Sequence, residues 1–346
     1  MPMRDAIISF PVLGLTLNPP SYFSIGGFHV YYYGVIIALG LLLAVFYASR
    51  VCSRFHMTMD AVYDYLIWAV IAAVICARLY YCVMYTDSDG VHTYLRNPAA
   101  FLRIRDGGLA IYGGVIGAAA ALLIRARMRK ESVWKALDIM AIGLLIGQCI
   151  GRWGNFFNRE AFGGRTEVFC RMGLTPTTVD AISALHAAGF SDAAIGTPVF
   201  VHPAFLYESL WNLIGFLLLH WHSKKHRRYQ GQYFLLYLIW YGFGRMLIEG
   251  LRTDSLWLIP GSIRVSQLLA ALTLVVGAVL YFINRSRLEL GMRLIAGRLD
   301  ADDPVKTEEA ESPQTEKSPE DSEPEASAVP EAPEESPEDH ADNPTE

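Results

Sequence analysis

The sequence predicts an all-α polytopic membrane protein with seven transmembrane helices, a small external cap and a disordered acidic C-terminal tail. Of its 346 residues, 53% are hydrophobic and only 18% are charged, whereas soluble domains carry roughly 25% charged residues. Residues 300–346 hold 18 of the 34 acidic residues, so more than half of the acidic residues lie outside the apolar body. This composition excludes an ordinary soluble enzyme, a disordered protein and a small secreted domain built on disulfides.

A membrane-spanning helix needs about 20 mostly apolar residues, and seven segments qualify. They are residues 30–48, 61–85, 109–124, 136–155, 203–221, 232–250 and 263–283. The third is the shortest.

The predicted spans divide the chain into three parts. Residues 1–29 form an external N-terminal segment, and residues 30–299 form the membrane domain. Within that domain, residues 156–202 make the external cap, which includes a short helix over 178–190. The remaining part, residues 300–346, combines eight prolines with many acids and has too little apolar surface to fold, so it is predicted to be a disordered cytoplasmic tail.

The basic residues between the spans predict the orientation. The connections after the first, third, fifth and seventh spans hold 15 Lys and Arg residues, and the alternate set holds 9. Because cytoplasmic connections are enriched in basic residues, the N-terminus is expected outside and the C-terminus in the cytoplasm.

Two spans carry a polar stripe at their outer end. The stripes consist of Gln148, Arg152 and Asn155 on the fourth span and Tyr241, Arg245, Glu249 and Arg252 on the sixth. Residues three or four apart share one helix face. Tyr33, Arg78, Tyr112 and His202 lie near the outer ends of other spans. Ionisable groups inside a membrane are costly and are a signal of function, so we expect a site at the depth of the outer leaflet.

Two arginines at that depth suit a phosphate group, because the planar guanidinium donates two parallel hydrogen bonds to it. Glu160, Glu208 and Glu249 are candidates to orient the arginines. The sequence has no metal-binding spacing, P-loop or nucleophile elbow, so no metal, cofactor or nucleic acid is expected. A lipid or small-molecule transporter is the alternative, although it would place polar groups near the membrane midplane.

Several motifs resemble one family. Residues 151–163 read G-R-W-G-N-F-F-N-R-E-A-F-G, which resembles the signature G-R-x-G-N-F-x-N-x-E-x-x-G of prolipoprotein diacylglyceryl transferases. Residues 202–208, H-P-A-F-L-Y-E, and the block from Tyr241 to Arg252 are similar to two further motifs of that family. Tyr33-Gly34 and Ala77-Arg78-Leu79 also fit.

The resemblance implies an enzyme of the bacterial cell membrane. Such an enzyme transfers the diacylglyceryl group of phosphatidylglycerol to the thiol of a lipobox cysteine in a prolipoprotein signal peptide. A thioether forms and glycerol phosphate leaves. No cofactor is implied.

The resemblance also assigns roles to individual residues. Arg152 and Arg245 would bind the phosphate, Asn155 would position the headgroup, and Glu160 and Glu249 would hold the arginines. The other residues expected to contact phosphatidylglycerol are Gly163, Tyr33, Tyr241, Arg252, Arg78 and His202.

One position departs from the family pattern. Many members have a histidine before the Gly-Gly of the third span, where this chain has Tyr112. Tyr112 is expected to be the general base for the thiol, a hydrogen-bond donor to the phosphate, or a packing residue. An unperturbed tyrosine has a pKa of about 10, which favours hydrogen bonding over proton abstraction. His202 is the alternative base.

Overall fold

The computed structural model describes residues 5–85, 94, 101–102, 107–254, 257–259 and 263–299. Within this part of the chain, seven helices have 18 or more residues. They are α1 (Tyr32–Val51), α2 (Met59–Met84), α3 (Ile111–Arg129), α4 (Val133–Asn158), α6 (Ala204–Ser223), α7 (Gln232–Glu249) and α8 (Val265–Glu289), with the short α5 (Val179–Ala187) between α4 and α6. Each predicted span coincides with one long helix, and α5 lies where the short helix of the cap was predicted.

Helix α4 is central in the bundle. It packs against α1 on one side and against α6 and α7 on the other, while α2 pairs with α3, and α7 pairs with α8. Small residues allow these close approaches. A Cβ at Gly113 of α3 would come 2.5 Å from Cβ of Tyr80 on α2, so the two helices touch closely at this glycine.

The outer faces of the bundle are apolar. Leu42, Ile75, Val115 and Phe282 are each at least 60% exposed, as expected for helices whose surroundings are lipid. Among the described residues, five helical stretches are long and apolar enough to cross a membrane: residues 32–55, 59–84, 111–129, 133–158 and 265–289. The chain is therefore a multi-pass membrane protein. Crossing by α6 and α7, which carry much of the predicted polar site, stays a prediction.

The cap is not purely helical, so the all-α prediction was incomplete. Strands β1 (Ala6–Phe10), β2 (Leu15–Leu17), β5 (Met172–Pro176) and β6 (Val199–Val201) form an antiparallel sheet in the order β2-β1-β5-β6. Thus the N-terminal segment pairs directly with the connection between α4 and α6. Two hairpins complete the strands, β3 (Tyr22–Ile25) with β4 (Phe28–Tyr31) and β7 (Trp257–Ile259) with β8 (Ile263–Arg264).

The sheet and α5 form a separate small hydrophobic core at one end of the bundle. Its residues include Ile8 of β1, Leu174 of β5, Leu185 of α5 and Phe205 of α6, all buried. Because Phe205 belongs to a bundle helix, this core joins the cap firmly to the end of the bundle where α4 stops and α6 starts. The predicted tail over 300–346 lies outside the described residues.

Candidate active site

The charged site is organised around Glu208, near the start of α6. Its carboxylate is buried and accepts contacts from arginines of three neighbouring segments. Nη2 of Arg152 lies 2.6 Å from Oε2, Nη1 of Arg245 lies 2.9 Å from the same oxygen, and Nη1 of Arg252 lies 3.3 Å from Oε1. One carboxylate therefore connects the end of α4 with the end of α7 and the residues that follow it.

Two further carboxylates complete the pairing of these arginines. Nη2 of Arg245 lies 2.7 Å from Oε2 of Glu249, one helical turn further along α7. Arg252 donates from Nε and Nη2 to the two oxygens of Asp254, at 2.9 and 2.8 Å. Burial opposes ionisation of Asp254, but the hydrogen bonds and charge of Arg252 outweigh it and lower the pKa of this carboxyl below its usual value.

Arg152 is also connected to an amide network at the end of α4. Its Nη1 donates a long hydrogen bond of 3.5 Å to Oδ1 of Asn155. Asn155 and Asn158 each donate from Nδ2 to Oε1 of Glu160, both at 3.1 Å. Glu160 was expected to hold an arginine, and in the described residues its carboxylate instead accepts from two asparagines. Its influence on Arg152 passes through Asn155.

Gly163 brings the cap and the bundle together. Its N–H donates to the carbonyl of His202 at 2.9 Å, and the N–H of Gly164 donates to the carbonyl of Leu251 at 2.8 Å. A Cβ at Gly163 would lie 2.6 Å from Cβ of His202 and 2.9 Å from the carbonyl oxygen of Leu251. Only glycine fits this approach. Gly163 thus places the loop after α4 beside the residue that precedes Arg252.

Tyr33 packs against a second glycine, Gly154, next to the charged groups. A Cβ at Gly154 would come 2.7 Å from Cδ2 of Tyr33. The tyrosine ring therefore packs directly against α4 at Gly154, which lies between Arg152 and Asn155 in the sequence. Tyr241 lies one helical turn before Arg245 and lines a small pocket with Glu208 and Arg245. Both tyrosines are therefore next to the charged groups.

His202 lies beside the cluster and has an ordered ring. Its Nδ1 lies 3.2 Å from the hydroxyl of Tyr207, which is 3.3 Å from Sγ of Cys170. Burial lowers the pKa of His202. The imidazole is therefore more readily neutral near pH 7 than an exposed histidine, and a neutral imidazole can accept a proton.

Two predicted site residues are placed elsewhere. Arg78 donates from Nε to the carbonyl of Phe101 and from Nη1 to the carbonyls of Gly107 and Gly108. These bonds hold Phe101, Gly107 and Gly108 close to α2, and a contact of Arg78 with the headgroup stays a prediction. Tyr112 is half-buried on α3, and its hydroxyl has no hydrogen-bond partner within the described part of the chain. The structure does not bring it into contact with the arginines.

Three residues of this region were missed as site members. Glu208 had been recognised only as a possible partner of arginines, and its charge within a predicted span was the signal of its importance. Arg264 donates to the backbone carbonyl of Glu249. Arg159 is fully buried and fastens the N-terminal segment, with donations to the carbonyls of Ala6 and Pro19 at 2.7 Å each.

The fold and the site together define a multi-pass membrane protein with a buried cluster of arginines and carboxylates at one end of its bundle. Within the described residues, no group of three or more His, Cys, Asp and Glu residues is placed to hold a metal ion. The arrangement suits recognition of an anionic group by guanidinium donors.

Comparison with known proteins identifies the family. Residues 20–283 match the model of the prolipoprotein diacylglyceryl transferase family. The chain is 42% identical over 274 residues to the phosphatidylglycerol–prolipoprotein diacylglyceryl transferase of Limosilactobacillus reuteri, covering 78% of this chain and 92% of the relative. It is 42% identical over 265 residues to the enzyme of that name from Enterococcus faecalis (76% and 89% covered) and 38% identical over 271 residues to that from Geobacillus kaustophilus (77% and 92%).

The chain therefore belongs to the prolipoprotein diacylglyceryl transferase family and is a transferase of lipoprotein biosynthesis. The family resemblance of the motifs is confirmed. The alternative of a membrane transporter is not favoured.

Proposed function

We propose that this enzyme transfers the diacylglyceryl group of phosphatidylglycerol to the thiol of the lipobox cysteine of prolipoproteins. The sulfur forms a thioether with the terminal carbon of the diacylglyceryl group, the bond from that carbon to the phosphate oxygen breaks, and glycerol phosphate leaves. The observation that carries the proposal is the convergence of Arg152, Arg245 and Arg252 on Glu208. The names of the relatives supply the two substrates.

Arg152 and Arg245 are proposed to bind the phosphodiester and to stabilise the charge that develops on it as the bond breaks. Glu208 and Glu249 hold the guanidinium of Arg245 from two sides, which fixes its plane before substrate arrives. Arg252 is held in the same way between Glu208 and Asp254. Such preorganisation avoids rearrangement during the reaction.

The proton of the thiol needs an acceptor, and two candidates are retained. His202 is supported by its position beside Gly163 and by the burial that favours its neutral form. Tyr112 is supported by its position, where many members of the family have a histidine. There it would act as the base or as a donor to the phosphate. His202 is connected through Gly163 to the segment of Arg252, so it is the first candidate to test.

The location proposed for this site is the outer leaflet of the bacterial cell membrane. The excess of basic residues in alternate connections supports an external N-terminus and a cytoplasmic C-terminus. With seven crossings, the ends of α4 and α7 and the start of α6 face outward. The segment of residues 1–29 and the cap of 156–202 are then external, and the tail of 300–346 is cytoplasmic.

The test uses the purified full chain in detergent with phosphatidylglycerol and a fluorescent lipobox peptide. The expected products are a peptide heavier by one diacylglyceryl group and an equal amount of glycerol phosphate. A peptide with serine in place of the lipobox cysteine is the control and should stay unmodified. Failure of the cysteine peptide to gain the group, with folded protein and intact lipid, would contradict the proposal.

A further inference from the structure

A small pocket adjoins the charged cluster on the side that faces the middle of the bundle. It lies between α6 and α7, and its lining includes Glu208 and Asn212 of α6 and Tyr241 and Arg245 of α7. Two residues that pair with each other, Glu208 and Arg245, thus form one wall of this pocket. The pocket is small, with room for about one water-sized group next to Arg245.

Asn212 is the unexplained residue of this pocket. It is 3% exposed, and its Oδ1 has no hydrogen-bond partner in the described part of the chain. No described residue accepts from its Nδ2 either. Buried polar groups nearly always have partners, and an exception of this kind calls for an explanation. The amide of Asn212 therefore presents both a donor and an acceptor toward the pocket.

A second buried amide lies on the facing helix. Oε1 of Gln148 on α4 also has no partner among the described residues, while its Nε2 donates to the hydroxyl of Tyr237 at 2.8 Å. Gln148 comes four residues before Arg152, and Asn212 comes four residues after Glu208. Since α4 and α6 run in opposite directions, both amides lie about one helical turn, roughly 5.4 Å, inward from the Arg152–Glu208 ion pair.

The chemistry of these amides selects among the parts of a phospholipid. An ester carbonyl only accepts hydrogen bonds, so it would leave Oδ1 of Asn212 unpartnered. A hydroxyl donates and accepts and can satisfy both ends of the amide. In a phosphoglycerol headgroup the hydroxyls lie a few bonds from the phosphorus, which matches the separation of about one helical turn between the arginines and the amides.

We propose that Asn212 binds a hydroxyl of the glycerol headgroup of phosphatidylglycerol and determines the preference of the enzyme for that headgroup. The proposal rests on the proposed function, because it takes the arginines as the phosphate site. Asn212 is then a specificity-determining residue, and Gln148 on α4 offers a second acceptor without a partner among the described residues. Neither residue lies in the motif segments 151–163, 202–208 and 241–252.

The experiment compares two lipid donors that differ only in the headgroup hydroxyls. One is phosphatidylglycerol, and the other is phosphatidylpropanol, which has a three-carbon headgroup without hydroxyls. For wild type, Asn212→Leu and Asn212→Ala, kcat/KM is measured for both donors with the same lipobox peptide. The ratio of the two values does not depend on the fraction of folded enzyme, so a partly unfolded variant still gives a valid result.

The wild type is expected to prefer phosphatidylglycerol by about tenfold or more, as a site built around a hydroxyl does. Both Asn212 variants should lose about tenfold on phosphatidylglycerol and stay within about twofold of wild type on phosphatidylpropanol. The matched control is Asn284→Leu, since Asn284 is buried on α8 and fully partnered. Any loss in this control should be equal for both donors.

Equal losses on both donors in the Asn212 variants would overturn the inference, because they would mean that Asn212 acts on the fold, on bound water or on the shared diacylglyceryl part. A wild-type enzyme with equal kcat/KM for the two donors would also overturn the inference. A wild type that transfers from phosphatidylpropanol but not from phosphatidylglycerol would also overturn it. Absence of transfer from either donor would instead overturn the proposed function.

Discussion

Replacing Glu208 by glutamine tests whether this carboxylate holds the site together. The glutamate side chain is 5% exposed and contacts three guanidinium groups at 2.6, 2.9 and 3.3 Å. At an effective dielectric constant of about 20, two unit charges roughly 3 Å apart attract by about 5–6 kcal/mol. Desolvation offsets much of this attraction, and neutralising one partner of a buried pair typically costs about 3–5 kcal/mol. The free energy of unfolding of Glu208→Gln should fall by that amount.

Transfer should fall at least about 100-fold in the same variant. The three arginines lose their common anchor, and a displacement of about 1 Å in a positioning group can cost that much in rate. The matched control is Glu167→Gln, because Glu167 is 82% exposed and lies 3.6 Å from Arg171. An exposed pair contributes about 0–1 kcal/mol, so this variant should keep its stability and rate.

The measurements are detergent-induced unfolding of both variants and the initial rate of diacylglyceryl transfer at saturating lipid. Unfolding of Glu208→Gln at the wild-type midpoint would refute the argument, since it would show that the arginine charges are compensated without Glu208. Normal transfer by a destabilised Glu208→Gln variant would separate the stability of the cluster from its role in the reaction.

Three other perturbations follow from the structure. Arg245→Lys should lower the initial rate of transfer at least about 100-fold, since an ammonium cannot bridge two carboxylates as the guanidinium fork does; a near-normal rate would contradict the bidentate role. Gly244→Ala should cost about 1–3 kcal/mol in unfolding measurements because its Cβ would overlap an indole ring, whereas Gly147→Ala, which meets no atom within 4 Å, should cost less. A cysteine at Ser183 should react with an impermeant thiol reagent added outside intact cells, and one at Lys225 should not; the reverse would overturn the orientation.

Helical spacing was sufficient to predict the two polar stripes. Arg152 and Asn155 are three residues apart, and Arg245 and Glu249 are four apart, so each pair shares a helix face whatever the tertiary structure. The structure shows both pairs in contact. These are local contacts, which is why a single sequence contains enough information to predict them.

Position along a helix was also predictable, but the neighbouring helix that each side chain faces was not. Arg78 lies near the C-terminal end of α2, where the sequence places it, yet it donates to the carbonyls of Phe101 and Gly107. Tyr112 lies at the start of α3, but α3 packs chiefly against α2. Position along a helix gives the distance from the membrane surface, whereas the neighbouring helix decides which site a side chain joins.

The sheet of the cap was not predicted from the sequence, and the reason is different. Its central pair joins Ile8 to Leu174 and Ser9 to Gly173, residues that are far apart in the sequence. The strands have three to five residues, too few for alternation to stand out from the surrounding loops. Only the local helix α5, with Thr178 accepting from the N–H of Ala181 at its start, carried a clear signal.

Glu208 shows how much a charge in a span can and cannot predict. A buried carboxylate must be paired, because an isolated charge in the bundle would cost more than the fold can tolerate. The sequence therefore predicts that partners exist. It does not predict which they are, since Arg245 and Arg252 lie 37 and 44 residues away along the chain and Arg152 lies on a third helix. The partners follow only from the antiparallel packing of α6 between α4 and α7, and that packing turns two local stripes into one site.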